Sequence, residues 1–389
     1  MLEKKSYEVA VCGGGFAGIS AALAAARGGK RVILFEKEYM LGGLATAGLV
    51  TIYLPLCDGY GKQVSFGIAE ELFRLSIKYG AEADYPENWL DGTGTKTEND
   101  KRFMVRYNAQ VFAILAEKLL LDSGVDILYG SYVVGVEKDN DRISTLLVEN
   151  KSGKTAYSID SVIDATGDCD IAHFAGAPTD TFKQGNVLAS WYYYTDKNGY
   201  NLKPLGYCDT PNEEKTGDGP KHLVDRRFSG LDGEEISEMV CLSHQSTLND
   251  WLNERKSKPE AVISTIATIP QLRMTRKLVG EYTLLHTEEH KHQQSSIGMV
   301  SNWKRRGPVY EVPFETLYSE SIKNLLVAGR CTSVGETLWD VMRVIPCCAV
   351  TGEAAGAAAS LASDFSSLDV TLLQNELRKR GVILHESDL

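Results

Sequence analysis

The feature that most constrains the fold is a strand, a glycine loop and a helix in immediate succession near the start of the chain. The apolar run at residues 7–12 predicts a buried strand, and Gly13, Gly15 and Gly18 follow it in the pattern Gly-x-Gly-x-x-Gly. An alanine-rich stretch then predicts a helix over residues 17–27. This order is typical of an α/β fold in which a parallel sheet is covered by helices, a Rossmann-like domain.

Each glycine of this loop has a physical role in holding a dinucleotide. Gly13 permits the tight turn from strand to helix, Gly15 lets the backbone approach a pyrophosphate, and Gly18 lets the helix pack closely on the strand. A second apolar strand over residues 31–35 ends at Glu36, whose carboxylate can accept hydrogen bonds from a ribose. A 2′-phosphate would be repelled by this acid, whereas a 2′-hydroxyl suits it.

Three further segments repeat the pattern of small residues in a loop. A glycine-rich stretch at residues 40–48 follows the ribose acid, and apolar strands at residues 162–168 and 324–330 end at Gly167 and Gly329. In a doubly wound sheet these strand ends meet at one edge, where ligands bind. A loop beyond the ribose acid favours a cofactor longer than NAD, although an ordinary glycine-rich surface turn is the alternative.

The segments GGGFAG, FEK, LGGLAT, IDATGD and LLVAGRC, with RVIPCCAVTGEAAGAAA near the end, resemble the FAD-dependent oxidoreductase family. The resemblance is to the glutathione-reductase-type flavin fold, in its uncharacterised bacterial branch, and implies bound FAD with the last segment closing over the flavin. Where many of these relatives have histidine this chain has Glu336, so the family's acid–base chemistry is not carried over there. The residues expected to bind FAD are Gly13, Gly15, Phe16, Ala17, Gly18, Glu36, Lys37, Gly42, Gly43, Leu44, Ala45, Thr46, Val134, Ala165, Thr166, Gly167, Gly329, Arg330, Val344, Ile345 and Cys347.

The amino-acid composition differs between two sets of segments, and this difference predicts a discontinuous flavin domain and an inserted substrate domain. The insert carries half of the tyrosines, most of the tryptophans and histidines and fewer glycine loops, which indicates a substrate domain, and its fold is expected to be mixed α+β. It has no second Gly-x-Gly-x-x-Gly, so no separate nicotinamide domain is expected. The expected boundaries are 1–54, 102–180 and 307–365 for the flavin domain, 55–101 and 181–306 for the substrate domain, and 366–389 for a C-terminal extension.

Arg343 is the leading candidate for contact with substrate or flavin. It precedes a helix that Pro346, with its fixed φ, suits as a first-turn residue, and whose amides at 347–349 would point at the flavin. The alternative is a structural ion pair between Arg343 and Glu336 or Asp340. Glu336 is also a candidate general base, although it could equally be an ordinary surface acid.

The remaining candidates have weaker support from the sequence. Arg273 and Arg276 are three apart, so they would be neighbours on a helix and could bind a substrate carboxylate, with a solvated helix face as the alternative. Cys347 and Cys348 are expected to be small buried thiols rather than a redox dithiol. The histidines at 286, 290 and 292 resemble metal ligands, but their polar surroundings favour a solvated segment, and no metal is expected.

Composition excludes several classes of protein. A formal net charge of -11 makes nucleic-acid binding improbable, because phosphate contacts need clustered lysine and arginine. No apolar run reaches the roughly 18 residues of a membrane span. Eight cysteines without a Cys-x-x-Cys pair predict reduced thiols in a cytoplasmic protein.

The expected function is hydride transfer between FAD and a small organic substrate. An external electron donor or acceptor is the expected partner, and a homodimer stays open. Two alternatives remain: a flavoprotein that catalyses an isomerisation or cyclisation without net redox change, and a flavin-bearing electron-carrier subunit.

Overall fold

The computed structural model describes residues 5–86, 103–206 and 222–389. The strands in these ranges are β1 (Lys5–Cys12), β2 (Val32–Phe35), β3 (Ile52–Tyr53), β4 (Val105–Arg106), β5 (Asp126–Leu128), β6 (Tyr132–Asp139), β7 (Arg142–Asn150), β8 (Gly153–Asp164), β9 (Thr179–Thr181), β10 (Tyr192–Asp196), β11 (Gly199–Lys203), β12 (Val262–Ile266), β13 (Arg276–Leu278), β14 (Ser296–Ser301), β15 (Val309–Pro313) and β16 (Leu325–Val327). The α-helices are α1 (Phe16–Arg27), α2 (Ile68–Ile77), α3 (Ala109–Asp122), α4 (Asp170–Ala175), α5 (Gly233–Glu254), α6 (Glu336–Met342), α7 (Ile345–Leu361) and α8 (Val370–Lys379).

The main sheet has seven strands and is parallel over its central part. Its order is β5-β2-β1-β8-β7-β6, and β16 pairs with the last residues of β8. The pairs β5–β2, β2–β1, β1–β8 and β8–β16 are parallel, whereas β7 pairs antiparallel with both β8 and β6. The uninterrupted apolar runs of β2 and β16 suit strands that are covered on both faces. The predicted α/β class and Rossmann-like sheet are therefore confirmed.

Helices α1 and α7 pack closely against each other on one face of this sheet, and glycine makes this approach possible. A Cβ atom on Gly352 would lie 2.2 Å from the Ala17 carbonyl oxygen, and one on Gly356 would lie 2.2 Å from the Ala21 carbonyl oxygen. Real Cβ atoms do not approach backbone oxygens so closely. Gly352 and Gly356 therefore allow α1 and α7 to pack closely.

Elements from the predicted insert and from the predicted C-terminal extension extend this core. Helix α2 and strand β14 pack against α7, and α8 contacts both α7 and β14. Phe73, Val300 and Leu373 belong to the same buried apolar cluster as Ile19. The domain boundaries given above stay a prediction, and this shared core is the contact between the two predicted parts.

A separate layer is formed by a three-stranded antiparallel sheet, β11-β10-β12, and the long helix α5. Strand β10 is a tyrosine-rich run, YYYTD. The Tyr192 hydroxyl donates a hydrogen bond to Asp250 on α5 at 2.8 Å, which joins this sheet to the helix.

Two predictions about the chain as a whole can be compared with the described residues. All seven cysteines in the described ranges are free thiols; Cys208 lies outside them. Within those ranges no single helix is long and apolar enough to cross a membrane, and α6 and α7 meet those criteria only jointly, across a bend of 89°.

Candidate active site

The carboxyl ends of three parallel strands meet at one edge of the main sheet. Cys12, the last residue of β1, is paired with Asp164 at the end of β8, and Asp164 is paired with Val327 at the end of β16. The loops that contain Gly13, Gly167 and Gly329 therefore start side by side, as predicted from the sequence. Ligands of open α/β sheets bind outside such an edge.

The three glycines of the first loop meet different surroundings. Gly13 has φ +103°, and a Cβ atom there would lie 2.4 Å from the Ala165 carbonyl oxygen. A Cβ atom on Gly18 would lie 1.8 Å from the Gly13 carbonyl oxygen. A Cβ atom on Gly15 would meet no protein atom within 4 Å. The space beside Gly15 is therefore free for a ligand, whereas the other two glycines are required by the protein itself.

Glu36 both faces the site and supports the glycine loop. One carboxylate oxygen accepts a hydrogen bond from the Gly14 amide at 2.6 Å, and the other accepts from the Glu38 amide at 2.8 Å. Burial raises the pKa of this carboxyl, and the two amides act in the opposite direction. The sequence predicted the ribose-facing acid but not its bond to Gly14.

The second glycine-rich loop lies directly against the first. The Gly42 amide donates to the Gly14 carbonyl oxygen at 2.7 Å, and Gly42 has φ +103°. The Thr46 hydroxyl donates to the Leu41 carbonyl oxygen at 2.5 Å and so closes this loop on itself. Thr46 is fully buried and does not line the cavity, so its role is to shape the loop. Gly43 lines the cavity.

Asp164 organises the β8 end of the site from within the protein. Its buried carboxylate accepts hydrogen bonds from the Thr166 amide and hydroxyl, and from the amides of Ile171 and Ala172 at the start of α4. Burial raises the pKa of Asp164, and these donors oppose that effect. The carboxylate thereby fixes the Ala165–Gly167 loop against α4.

The same edge carries a cluster of charged groups. Arg330 Nη2 lies 3.1 Å from Asp168 Oδ1, and Arg330 Nη1 donates to the Leu272 carbonyl oxygen at 3.0 Å. Burial, followed by the nearby Asp168 and Asp164 carboxylates, raises the pKa of Asp170 to about 7. Arg330 therefore offsets the acids that would otherwise repel a phosphate at this edge.

Arg343 faces the site from the C-terminal element. It follows α6 and precedes α7, and it lines the cavity. Its Nε and Nη2 atoms are buried, and no hydrogen-bond acceptor is found for them among the described residues. Asp340 instead lies 3.0 Å from Lys304 Nζ. Within the described ranges Arg343 forms no ion pair with Glu336 or Asp340.

The start of α7 differs in detail from the prediction. Pro346 occupies the first turn as expected, but the Cys348 amide donates to the Val344 carbonyl oxygen at 2.9 Å. That amide is therefore used within the helix and does not point at a ligand. Cys348 lines the cavity, whereas the Cys347 thiol is buried and donates to the Val341 carbonyl oxygen. Helical spacing explains this, because Cys348 shares a face with Ile345.

These elements enclose a cleft with about 1250 Å³ of empty space, open solvent at its mouth included. Predicted residues that line it are Gly13, Gly15, Phe16, Ala17, Glu36, Lys37, Gly42, Gly43, Leu44, Ala45, Ala165, Thr166, Gly167, Gly329, Arg330, Arg343 and Ile345. Predicted residues outside its lining are Gly18, Thr46, Val134, Val344, Cys347, Glu336 and Arg273.

The helix expected around Arg273 is wrong. Arg276 begins strand β13, and Arg273 lies in an irregular segment before it. The Asn186 side chain accepts hydrogen bonds from the amides of Arg273 and Met274, so these amides do not bond within a helix. Arg273 is 4% exposed, donates to Gln271 and packs on the Trp191 ring at 5.6 Å. A solvated helix face is likewise excluded.

Several lining residues carried no sequence signal. Ile269, Pro270 and Leu272 reach the cavity from the predicted insert, where no motif marks them. On β6, Tyr132 and Val133 line the cavity, whereas Val134 is 39% exposed. Alternation places the side chains of Val133 and Val134 on opposite faces of β6, and the sequence did not say which face would be turned to the site.

The residues present fit FAD. The open space beside Gly15 leaves room for a pyrophosphate at the start of α1, and Glu36 stands at the end of the next strand. Gly43, Leu44 and Arg343 line the same cleft, and Nε and Nη2 of Arg343 have no acceptor among the described residues. Backbone amides and arginines are suitable donors for a phosphate-bearing cofactor.

Several solved structures are similar to this chain at low sequence identity. A geranylgeranyl bacteriochlorophyll reductase-like protein from Thermoplasma acidophilum is 13% identical, with a TM-score of 0.50 over 97% of this chain and 83% of that one. A p-nitrophenol 4-monooxygenase from Pseudomonas putida is 14% identical, with a TM-score of 0.49 over 97% and 85%. Glycine oxidase from Bacillus cereus is 14% identical, with a TM-score of 0.44 over 94% and 97%. None of the curated proteins matches the chain.

A family model decides the assignment. The model described as FAD dependent oxidoreductase matches residues 8–189 and 285–377, together more than half of the chain. The matched ranges contain both glycine loops, the β8 end and the whole of the element around Arg343. FAD is therefore the cofactor of this protein, and the chain is an enzyme that belongs to the FAD-dependent oxidoreductase family.

Proposed function

We propose that this enzyme transfers a hydride between FAD and a small organic substrate that carries an acidic group. FAD supplies the two-electron chemistry when it is bound. The observation that carries the choice of substrate is Arg343, whose Nε and Nη2 atoms are buried at the cavity wall without an acceptor among the described residues. A carboxylate is the group that a planar guanidinium binds with two parallel hydrogen bonds.

A buried guanidinium without acceptors destabilises the empty site. Leaving such a group unpaired costs about 1–3 kcal/mol, and more for a charged group. A substrate anion that accepts from Arg343 removes this cost and is held in one orientation. Arg343 would then act as the residue that binds and orients the substrate beside the cofactor.

A short run of lining residues from the predicted insert supports a substrate site there. Ile269, Pro270 and Leu272 supply an apolar surface there, and the Leu272 carbonyl oxygen accepts from Arg330. An apolar wall with one convergent cation suits a small organic acid and excludes water from its reacting carbon. Neither Glu336 nor Arg273 lines the cavity, and catalytic roles for these two residues stay predictions from the sequence.

Two further parts of this proposal concern the setting of the reaction. A second Gly-x-Gly-x-x-Gly motif is absent from the sequence of the insert, which supports an external electron donor or acceptor. The free thiols of the described cysteines support a reducing compartment, and we infer a cytoplasmic location.

The test mixes the FAD-loaded enzyme, without oxygen, with a panel of small hydroxy and amino acids and with their methyl esters. The expected result is loss of the visible flavin absorbance with a free acid and not with its ester. An isomerase or cyclase would convert substrate without net loss of that absorbance. A panel in which esters react as well as acids would contradict the assigned substrate class.

Arg343→Met is expected to slow this reduction about 10- to 100-fold, since a hydrogen bond to a charged group contributes about 1.5–3 kcal/mol. Arg343→Lys keeps the charge and should recover part of the rate. The exposed Arg31 provides a control, because Arg31→Met leaves the cavity unchanged. Equal rates in wild type and Arg343→Met would overturn the role of Arg343.

A further inference from the structure

His292, from the histidine-rich segment that was expected to be solvated, lies beside the buried acid Glu311. His292 precedes β14, Glu311 lies on β15, and His385 follows α8. Glu311 is only 4% exposed, whereas the His292 side chain is 66% exposed. One ligand atom from each of these three residues lies within 4.8 Å of the other two.

The Glu311 carboxylate is held in a fixed orientation. Its Oε2 atom accepts from the Gln293 amide at 2.8 Å and lies 2.8 Å from His385 Nδ1. Its Oε1 atom accepts from the Glu386 amide at 2.9 Å. Neighbours that hold a carboxylate in this way serve the same purpose around metal ions, where they orient the ligand.

The ion-pair partners of the Glu311 carboxylate in the described part of the chain include no lysine or arginine. Among the described residues its ion-pair partners are His385 at 2.8 Å and His292 at 3.6 Å. An imidazole is cationic only when it is protonated, so neither partner resembles the fixed charge of lysine or arginine. Buried carboxylates are usually paired or coordinate a metal ion.

We propose that His292, Glu311 and His385 form a binding site for a divalent transition-metal ion of the Zn²⁺ class. Two imidazole nitrogens and one carboxylate oxygen are a ligand set that Zn²⁺ accepts, with water at the remaining position. Tetrahedral ligands at the usual Zn–N and Zn–O distances lie about 3.4 Å apart, close to the separation of His292 and Glu311. Mg²⁺ and Ca²⁺ prefer sites made of oxygen ligands alone.

The position of this site points to a structural role. None of the three residues lines the cavity described above. His385 belongs to the segment after α8, and the hairpin of β14 and β15 packs through β14 against α7. A bound ion would tie that segment to the hairpin, so it would stabilise the fold without taking part in the reaction.

The experiment uses the full chain with FAD bound, after dialysis against a chelator, and adds Zn²⁺ alone. Calorimetric titration should show one Zn²⁺ per chain, and the thermal midpoint should rise with Zn²⁺ concentration. In His292→Ala the Zn²⁺ affinity should fall about 100-fold or more. Losing a residue that only orients a metal ligand costs about 10- to 100-fold, and the loss of a ligand itself should cost at least as much. Because His292 is exposed, this variant should fold normally, and its midpoint without Zn²⁺ should match that of wild type.

A second variant and two controls keep the result decisive. His385→Gln retains a donor to Glu311 and should also lose Zn²⁺ binding. His286→Ala removes an exposed histidine of the same segment, and Cys241→Ser removes an exposed thiol; both should bind Zn²⁺ like wild type. Absence of stoichiometric binding, or binding that survives His292→Ala and His385→Gln, would overturn the proposal.

Discussion

The Glu36 carboxylate accepts a hydrogen bond from the backbone amide of Gly14 at 2.6 Å, across the two strands that start the fold. Glu36 stands where a ribose acid is expected, yet it also fastens the glycine loop. The loop is therefore held open by the protein itself, and cofactor binding does not have to order it. Pre-organisation of this kind improves affinity by reducing the entropy lost on binding.

The first prediction concerns this bond. Glu36→Gln removes the charge that receives the Gly14 and Glu38 amides, and hydrogen bonds to charged groups contribute about 1.5–3 kcal/mol. The dissociation constant for FAD should rise about 10-fold or more, measured by fluorescence titration of the apoprotein. The exposed Glu149 gives a matched control in Glu149→Gln. An unchanged constant in Glu36→Gln would show that the acid does not support the FAD site.

The second prediction tests the contact between α1 and α7. Gly356→Ala places a methyl group 2.2 Å from the Ala21 carbonyl oxygen, so the helices must separate. Overpacking of this kind costs about 1–3 kcal/mol of unfolding free energy, which denaturant titration would detect. Gly233→Ala at the start of α5 is the control, since its Cβ atom would meet nothing within 4 Å. Equal free energies of unfolding for the two variants would contradict the close contact between α1 and α7.

The third prediction concerns pH and Glu353 on α7. This carboxylate is 2% exposed and accepts from the Ile68 amide at 2.7 Å; burial raises its pKa to about 7 from an ordinary 4.5. The folded protein therefore holds the proton more tightly than the unfolded chain. The associated stabilisation, about 3 kcal/mol, is complete below pH 4.5 and is lost as pH rises to about 7.

The measurement is the thermal midpoint of Glu353→Gln relative to wild type across this range. The variant cannot ionise at this position. Its thermal midpoint should therefore rise relative to that of wild type as pH increases from 5 to about 7, and the difference should stay constant at higher pH. Glu260→Gln, at an exposed acid, should track wild type at every pH. A difference between Glu353→Gln and wild type that does not vary with pH would contradict the raised pKa.

The sequence was most informative where a backbone position allows few residues. Gly13 takes a φ of +103° in its tight turn, and Gly18 packs on the Gly13 carbonyl oxygen within the same loop. Local signals of this kind, together with the apolar runs, predicted β1, α1, β2 and the glycine loops. The parallel strand order then brought Gly167 and Gly329 to the same edge.

The spacing of residues in the sequence could not predict contacts between distant segments. Asn186 binds the backbone at Arg273 and Met274, so a three-residue spacing that suits a helix lies in an irregular segment. His292 and Glu311 meet His385 only through the fold, which is why a histidine-rich stretch gave no visible ligand cluster. Side chains that pack across the chain decide these positions, and local propensity does not.

The most direct test of the account compares Gly15→Ala with Gly13→Ala in a titration of apoprotein with FAD. Gly15 has φ -69° and an open space in place of its Cβ atom, so Gly15→Ala should keep the thermal midpoint of the apoprotein. Its methyl group would enter the cleft and weaken FAD binding about 10- to 100-fold. Gly13→Ala should instead lower the midpoint itself, because of its φ of +103° and its contact with Ala165. Wild-type affinity for FAD in Gly15→Ala would contradict the placement of the cofactor in this cleft.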